Sequence, residues 1–346
     1  MGMAGTIRQI AQLAGVSRGT VDRALNRRGR ISPEVAERIW KIAEELDYHP
    51  GQKRRVSEES KTQEIRIGVI TQMAESSFMI QIHQGIRDIE RELKERGVAL
   101  CVRDLISVNE EEQLKAIEEL DQKNIAALAI MPVESEGVRR RLNRLTEERN
   151  IPVVTFNSDI VGTGRSCFVG LDNRKSGSTA AGLMGMLTRG AGKILIITGS
   201  FTNSVNGLRV EGFVDEVKRS FPGMELLGVQ SSSGDSKEVE QIIVSTMERE
   251  PDLAGIFVAC MGQSGVSAAF DRMKPGKRPY VIVYDLTLEN VEALKKGYFD
   301  FVLDQEGYMQ GYRAVRRLYE YLIRRRELQP EMMFTDIKII TRYNLP

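Results

Sequence analysis

The stretch TIRQIAQLAGVSRGTVDRALNRRGRISPEVAERIWKIAEELDYHP, residues 6–50, decides the architecture of the first part of the chain. Thr6 opens a capping box, and apolar residues then recur at helical spacing until Gly15, where the left-handed conformation open to glycine favours a helix end. Ser17 is placed to cap a second helix, and Ser32, followed by a proline, is placed to cap a third. The stretch therefore predicts three short helices, with a turn of only three residues between the first two.

Two helices joined by a short glycine-containing turn, with a third closing the core, form the helix-turn-helix arrangement. The second helix would enter the major groove of DNA, where Arg18, Gly19 and Arg23 would face base edges. Short hydrogen-bonding side chains and arginines around it suit phosphate contact: Ser17, Thr20, Asn26, Arg27, Arg28 and Ser32. The residues alone leave a second interpretation open, a helical protein-interaction module with a solvated basic loop.

Residues 6–50 resemble the DNA-binding head of the lac-repressor family almost from end to end. The most specific matches are Ala11, Ala14-Gly15-Val16-Ser17, Thr20-Val21, Arg23, Asn26, Ser32, Leu46, Tyr48 and Pro50. The resemblance implies that Arg18, Gly19 and Arg23 occupy base-reading positions. Because Gly19 has no side chain, Arg18 and Arg23 would carry most of the direct specificity.

The linker, residues 51–64, departs from that family. Relatives continue with an asparagine and a short hinge helix whose leucine kinks DNA in the minor groove, whereas Gly51 and Ser57 stand at about those places here. Arg54 and Arg55 suit phosphate contact, and Val56 is the apolar candidate for a wedge. The polar residues that follow predict a flexible joint.

Charge is distributed unevenly along the 346 residues. Residues 1–56 carry eleven Lys or Arg and six Asp or Glu, and the remainder carries 38 basic and 42 acidic residues. A basic head on a mildly acidic body indicates that only the head approaches a polyanion. There is no secretory signal and no apolar run of the roughly 18–20 residues that cross a bilayer, so we expect a cytoplasmic protein without a membrane partner.

From residue 65 onward, short β-branched runs alternate with helical segments. Candidate strands begin near residues 65, 98, 125 and 152, then near 193, 225, 254 and 280. A spacing of about 30 residues matches one βα unit and predicts parallel sheets covered by helices. One continuous sheet or barrel would also fit, but the stretch GTGRSCFVGLDN, residues 162–173, interrupts the rhythm and favours two lobes.

This body resembles the two-lobed periplasmic sugar-binding fold (type I) that forms the sensor of lac-repressor relatives. The resemblance rests on Asp172-Asn173 and Asp304-Gln305 as crossings between lobes, on residues 208–213, and on Val283-Tyr284-Asp285. It implies a head at 1–50, a linker at 51–64 and an effector and dimerisation domain at 65–346. The first lobe would take residues 65–172 and 306–334, and the second 173–305 and 335–346.

Ligands of such sheets bind beyond the carboxyl ends of the strands. By the resemblance, the effector-binding candidates there are Phe78, Asn157, Arg209, Asp285 and Gln305, with a structural anchor as the favoured alternative for Arg209. Amides, carboxylates and an aromatic ring suit a sugar-like molecule. Two departures from the family make the pocket less polar: Gly207 replaces a sugar-gripping arginine, and Cys260-Met261 replace an Asn-Asp pair.

An α/β body could instead belong to an enzyme. Gly190-Ala191-Gly192-Lys193 evokes a phosphate loop, but Leu187 and Ile194 break the motif. The sequence has no Gly-x-Ser-x-Gly elbow, and its two histidines, His49 and His83, give little material for a triad or a metal site. We therefore predict no catalytic residue, no metal and no cofactor.

The sequence thus predicts a transcription regulator, expected to be a repressor. Its partners would be double-stranded DNA with a palindromic operator, a sugar-like effector and a second copy in a homodimer. Two alternatives stay open: an extracytoplasmic solute-binding protein, and an α/β enzyme of sugar or nucleotide metabolism.

Overall fold

The computed structural model describes residues 7–25, 31–46, 64–200, 203–324 and 326–345. The chain divides into two compact units, residues 1–63 and 64–346. Several residues expected to contact phosphate (Asn26, Arg27, Arg28, Arg54 and Arg55) lie outside the described residues, as do Thr6 and the linker up to residue 63.

The first unit contains the three predicted helices: α1 (Ile7–Ala14), α2 (Arg18–Leu25) and α3 (Pro33–Glu45). Gly15 has φ +64°, so the chain turns within three residues at no steric cost. The Ser17 hydroxyl oxygen accepts from the N–H of Thr20 at 3.2 Å, and Ser32 accepts from the N–H of Val35 at 3.4 Å. The buried core consists of Ile10, Ala11, Ala14, Val21, Ala24, Leu25, Ile39 and Ala43.

The second unit is built on two six-stranded sheets. The first sheet contains β1 (Ile65–Thr71), β2 (Val98–Asp104), β3 (Ala127–Ile130), β4 (Val153–Phe156), β5 (Cys167–Gly170) and β11 (Met332–Phe334), in the order β11-β5-β4-β3-β1-β2. All its pairings are parallel. Its helices are α4 (Met79–Lys94), α5 (Glu110–Gln122), α6 (Glu136–Glu147) and α12 (Gly307–Arg324). We call this sheet and its helices the first lobe.

The second lobe repeats the plan. Its sheet contains β6 (Ala191–Thr198), β7 (Gly223–Ser231), β8 (Leu253–Val258), β9 (Tyr280–Tyr284), β10 (Phe301–Asp304) and β12 (Lys338–Ile340), in the order β12-β10-β9-β8-β6-β7. Its helices are α7 (Asn173–Thr188), α8 (Ser204–Ser220), α9 (Ser236–Arg249), α10 (Ser264–Met273) and α11 (Leu288–Lys295). Strand β12 runs antiparallel to β10, which differs from the purely parallel expectation.

Buried apolar residues cover both faces of each sheet, as parallel strands require. In β1, Ile67 and Val69 belong to one hydrophobic cluster and Ile70 to another, so alternate side chains serve opposite faces. None of the helices in the described part of the chain has the length and apolar composition of a membrane span.

The chain crosses between the lobes three times, after β5, after β10 and after β11. The crossing segments bond to one another. Thr335 donates its hydroxyl to the carbonyl oxygen of Gln305 at 3.0 Å, and Glu306 accepts from the N–H of Asp336 at 3.0 Å. These crossings bring the carboxyl ends of both sets of strands to the two sides of one cleft.

Candidate functional site

The cleft between the lobes has a volume of about 470 Å3. All five residues proposed from the sequence to bind effector line it: Phe78, Asn157, Arg209, Asp285 and Gln305. They come together because each, except Arg209 in α8 and Phe78 before α4, directly follows a strand of a parallel sheet.

Asp285 is the buried acid of the cleft. It follows β9 with φ +73°, is 6% exposed, and accepts a hydrogen bond from Nε2 of Gln305 at 2.6 Å. Burial raises the pKa of Asp285, while the nearby Arg209 guanidinium and the Gln305 hydrogen bond oppose that rise. Its carboxyl group is therefore desolvated but already held by a neutral amide donor.

Arg209 is held by three hydrogen bonds and one aromatic contact within the protein. Its Nε, Nη1 and Nη2 atoms donate to Oδ1 of Asn173 at 2.9 Å, to the carbonyl oxygen of Ala259 at 3.1 Å and to Oε1 of Gln305 at 3.3 Å. The guanidinium carbon lies 3.8 Å from the ring centroid of Tyr284, a cation–π contact. Burial raises the pKa of Tyr284 to about 12, so this ring stays neutral. This is the geometry of a structural anchor.

Asn157 connects the first lobe to the crossings. It follows β4 with φ +62°, and its Nδ2 donates to Oε1 of Gln310 at 3.1 Å. The buried Gln310 side chain in turn donates to the carbonyl oxygen of Gln305 at 2.8 Å. A chain of amides thus runs from Asn157 to the same glutamine that bonds Asp285 and Arg209.

Two contacts join the lobes across the cleft. Glu134, just beyond β3, accepts from the N–H of Ser204 at 3.0 Å and from its hydroxyl at 2.5 Å, at the start of α8. Gln81 in α4 donates to the carbonyl oxygen of Leu286 at 3.0 Å. A carboxylate at a helix N-terminus is stabilised by the helix dipole, so the Glu134 contact favours closed lobes.

Sequence reasoning missed three apolar residues of this cleft, Met73, Met79 and Met131. Met261, which the sequence already placed in the pocket, lines it too, as does the buried Gln72 at the end of β1. Asp159, a strand-end acid, does not line the cleft. It forms a bidentate ion pair with Arg165, whose Nε donates to Oδ1 at 2.6 Å and whose Nη2 donates to Oδ2 at 2.7 Å.

The first unit presents a separate candidate surface on α2. Arg18, Gly19 and Arg23 are exposed, and Arg23 Nε donates to the carbonyl oxygen of Gly19 at 3.0 Å. The Ser17 and Thr20 hydroxyls lie 2.9 Å apart at the start of the same helix. An alanine-sized side chain at Gly19 would meet only Ser17 Oγ, at 3.8 Å, so packing within the unit does not require glycine there.

Among the described residues, no group of three or more His, Cys, Asp and Glu side chains is arranged to hold a metal ion. Cys260 lines the cleft, and burial raises the pKa of its thiol to about 11, so the thiol is protonated near neutral pH.

Residues 6–51 match the family described as "Bacterial regulatory proteins, lacI family", and residues 67–325 match the "Periplasmic binding protein domain". Similar curated proteins include the HTH-type transcriptional repressor PurR of Edwardsiella ictaluri, 28% identical over 217 residues, which are 62% of this chain and 60% of that protein. PurR of Yersinia enterocolitica is 27% identical over the same shares. The chain therefore spans about 60% of the length of these relatives.

Two solved structures show the same body fold. AraP, an arabinose binding protein from Geobacillus stearothermophilus, superposes with a TM-score of 0.72 at 24% identity, covering 82% of this chain and 98% of AraP. A solute binding protein from Burkholderia graminis, in complex with D-arabinose, gives a TM-score of 0.75 at 24% identity, covering 82% of this chain and 96% of that one. At this identity the likeness establishes the fold alone.

Proposed function

We propose that this chain, which belongs to the periplasmic binding protein domain family and matches the lacI family of bacterial regulatory proteins over residues 6–51, is a cytoplasmic transcription repressor controlled by a small molecule. The observation that carries the proposal is the joint presence, in one chain, of a capped helix α2 with exposed Arg18 and Arg23 and of a two-lobed cleft. An enzyme or a solute carrier does not need the first feature.

The helix-turn-helix unit would read DNA through α2. Arg18 and Arg23 would contact guanine edges, and Ser17, Thr20 and Ser32 would contact phosphates. The Ser32 oxygen accepts a backbone N–H, which leaves its hydroxyl proton to donate to a phosphate oxygen, and one of the two protons of the paired Ser17 and Thr20 hydroxyls can do the same. Asn26, Arg27, Arg28, Arg54 and Arg55 would add phosphate contacts.

Two copies of the chain would bind one operator. A single head reads only a few base pairs, too little to select one site in a genome, and helix-turn-helix proteins solve this with symmetric half-sites. The apolar residues of the head mostly fill its own core, so the dimer contact would come from residues 64–346. Sedimentation of the full-length chain at micromolar concentration should show a dimer, and a strict monomer would count against symmetric binding.

In the cleft, Asp285 and Gln305 would bind effector hydroxyl groups from the second lobe, and Asn157 and Phe78 would contact it from the first. Arg209 would hold Gln305 in place through its hydrogen bond and Tyr284 through the cation–π contact. Closure on the ligand changes DNA affinity only if the ligand binds the closed and open forms differently.

Selection of bound fragments from a genomic DNA library tests the proposal. The full-length chain should enrich an inverted repeat, and Arg18→Ala should lower affinity by about 1–3 kcal/mol and relax the preference at one base step. Arg38→Ala, at an exposed position on α3, is the matched control and should keep the preference. Recovery of fragments without any shared sequence would contradict sequence-specific binding.

A further inference from the structure

Asp304 is a buried acid at the point where the chain leaves the second lobe. It ends β10, immediately before the crossing that contains Gln305, and it is 7% exposed. Within the described part of the chain, its Oδ1 atom has no hydrogen-bond partner. An ionised carboxylate carries charge on both oxygens, and a buried charge without a donor is costly. The surroundings of Asp304 therefore suit a protonated, neutral carboxyl group better than an ionised one.

The cation opposite Asp304 in the sheet is already paired with another acid. Lys338 stands opposite Asp304 in the antiparallel pairing of β10 with β12, but its Nζ atom bonds Oε1 of Glu306 at 2.9 Å. A second buried acid, Asp285, follows the neighbouring strand β9, and like charges on the two acids oppose each other. The charged side chains around this crossing come from several elements: Asp285 after β9, Arg209 in α8, Glu306 after β10, Arg313 in α12, and Asp336 and Lys338 at the start of β12.

The pKa of Asp304 agrees with this geometry. Burial raises it above the ordinary value of 3.8, while the N–H of Glu306, the charge of Lys338 and the N–H of Leu286 oppose the rise. The closed molecule therefore holds this proton more tightly than a form in which water reaches Asp304. The stability that results is complete below the ordinary pKa and is lost as the pH rises through the raised pKa.

Asp304 is connected to the contacts that close the cleft. The N–H of Leu286 faces its carboxyl group, and the carbonyl oxygen of Leu286 accepts from Gln81 of the first lobe at 3.0 Å. The next residue after Asp304 is Gln305, whose Nε2 donates to Asp285. A change of charge at Asp304 therefore acts on a contact between the lobes and on the amide that holds the buried acid of the cleft.

We infer that Asp304 is a proton-sensitive positioning residue, which keeps the two lobes closed while its carboxyl group is protonated. Loss of the proton to solvent leaves an unpaired charge at the crossing, and opening of the lobes admits water that solvates this charge. Closing the lobes takes one proton up again. A molecule that binds the closed form would thus bind more tightly at lower pH. The proton-dependent closure stands by itself, and only its effect on DNA binding rests on the proposed function.

Hydrogen–deuterium exchange of the full-length chain, without ligand or DNA, tests the inference. Peptides spanning residues 300–310 and 331–340 report on the crossings. Peptides spanning residues 203–208 report on the start of α8, where the N–H of Ser204 donates across the cleft to Glu134. Wild type and Asp304→Asn are compared at the same pH, from about pH 5 to about pH 8, so that the intrinsic pH dependence of exchange cancels.

The ratio of the two exchange rates is the expected signal. Asp304→Asn keeps the shape of the neutral acid, so the two proteins should exchange alike at the lowest pH. Wild type should then exchange faster as the pH rises, by at most about tenfold per pH unit, which is the limit for release of one proton. Both the crossing peptides and the α8 peptides should show this rise. Asp336→Asn, at an exposed acid of the crossing after β11, is the matched control and should keep the wild-type profile.

A second variant leaves Asp304 itself unchanged. Lys338→Met removes a charge that lowers the pKa of Asp304, so the rise in exchange should move to higher pH. If Asp304→Asn does not fold, the direction of this shift decides the inference alone. A ratio that does not depend on pH, a dependence confined to the crossing peptides, or an unmoved Lys338→Met profile would each overturn it. Because ligand and DNA are absent, failure here is distinct from failure of the repressor proposal.

Discussion

Gln305 connects the cleft to the segments at which the chain crosses between the lobes. Its Nε2 donates to Asp285, its Oε1 accepts from Arg209, and its carbonyl oxygen accepts from Gln310 and Thr335. A ligand that binds Asp285 therefore acts on the segment at which the chain crosses back to the first lobe. We therefore expect Gln305 to transmit the effect of ligand binding to the closure of the lobes.

Asp285→Asn tests whether the buried carboxylate of Asp285 binds the effector. The substitution keeps the shape but removes the charge, and effector affinity should fall by about 1.5–3 kcal/mol, the scale of a hydrogen bond to a charged group. DNA binding without effector should persist, since the head is a separate compact unit. Asp159→Asn is the control: it breaks the ion pair with Arg165 away from the cleft, so it should lower stability without changing effector affinity. Titration calorimetry and thermal denaturation measure both. Wild-type effector affinity in Asp285→Asn would place the ligand elsewhere.

Helices α7 and α8 approach closely enough that only glycine fits between them. A Cβ atom at Gly177 would lie 2.0 Å from the carbonyl oxygen of Arg209, and one at Gly212 would lie 1.9 Å from that of Arg174. Both obstacles are backbone atoms, which cannot rotate away. The packing of α7 on α8 therefore fixes the position of Arg209 in the cleft.

Two alanine substitutions in α7 should have opposite effects. Gly177→Ala forces the helices apart and should lower the free energy of unfolding by about 1–3 kcal/mol. Gly182→Ala meets nothing within 4 Å, so the higher helix propensity of alanine should raise it by about 0.5–1 kcal/mol. Urea denaturation followed by circular dichroism measures both. Equal shifts in the same direction would show that the close approach of these helices does not limit packing.

The start of α8 also carries the contact that closes the cleft. Glu134→Ala removes the carboxylate that accepts from Ser204, so the open form should gain population and effector affinity should fall about twofold to fivefold. Glu147→Ala, at an exposed position near the end of α6, should leave affinity unchanged. Small-angle scattering should show a more open ligand-free molecule for Glu134→Ala alone. Identical scattering profiles and affinities would mean that the contact does not stabilise closure.

At the scale of the whole molecule, the sequence predicted the fold well and the chemistry of the cleft only in part. Strand positions follow from apolar runs, which are a local property of the chain. The effector candidates came from the family resemblance, and the strand-end rule points independently to Asn157 and Asp285. The partners of Arg209 could not be predicted, because Asn173 and Ala259 lie 36 and 50 residues away in sequence. Met73, Met79 and Met131 were missed for a different reason: in the sequence, a methionine that lines a cleft cannot be distinguished from a core methionine, and Met79 and Met131 belong to the core of the first lobe as well.

In a ligand-controlled repressor, ligand in the cleft changes the affinity of the head for DNA. Fluorescence anisotropy with the selected inverted repeat, at fixed salt, measures that affinity with and without saturating amounts of the tightest-binding sugar or glycoside. We expect DNA affinity to change by about 5- to 150-fold, and ligand affinity to change by the same factor when DNA is bound, because coupling between two sites is reciprocal. DNA affinity that is identical with an empty and a saturated cleft would contradict it.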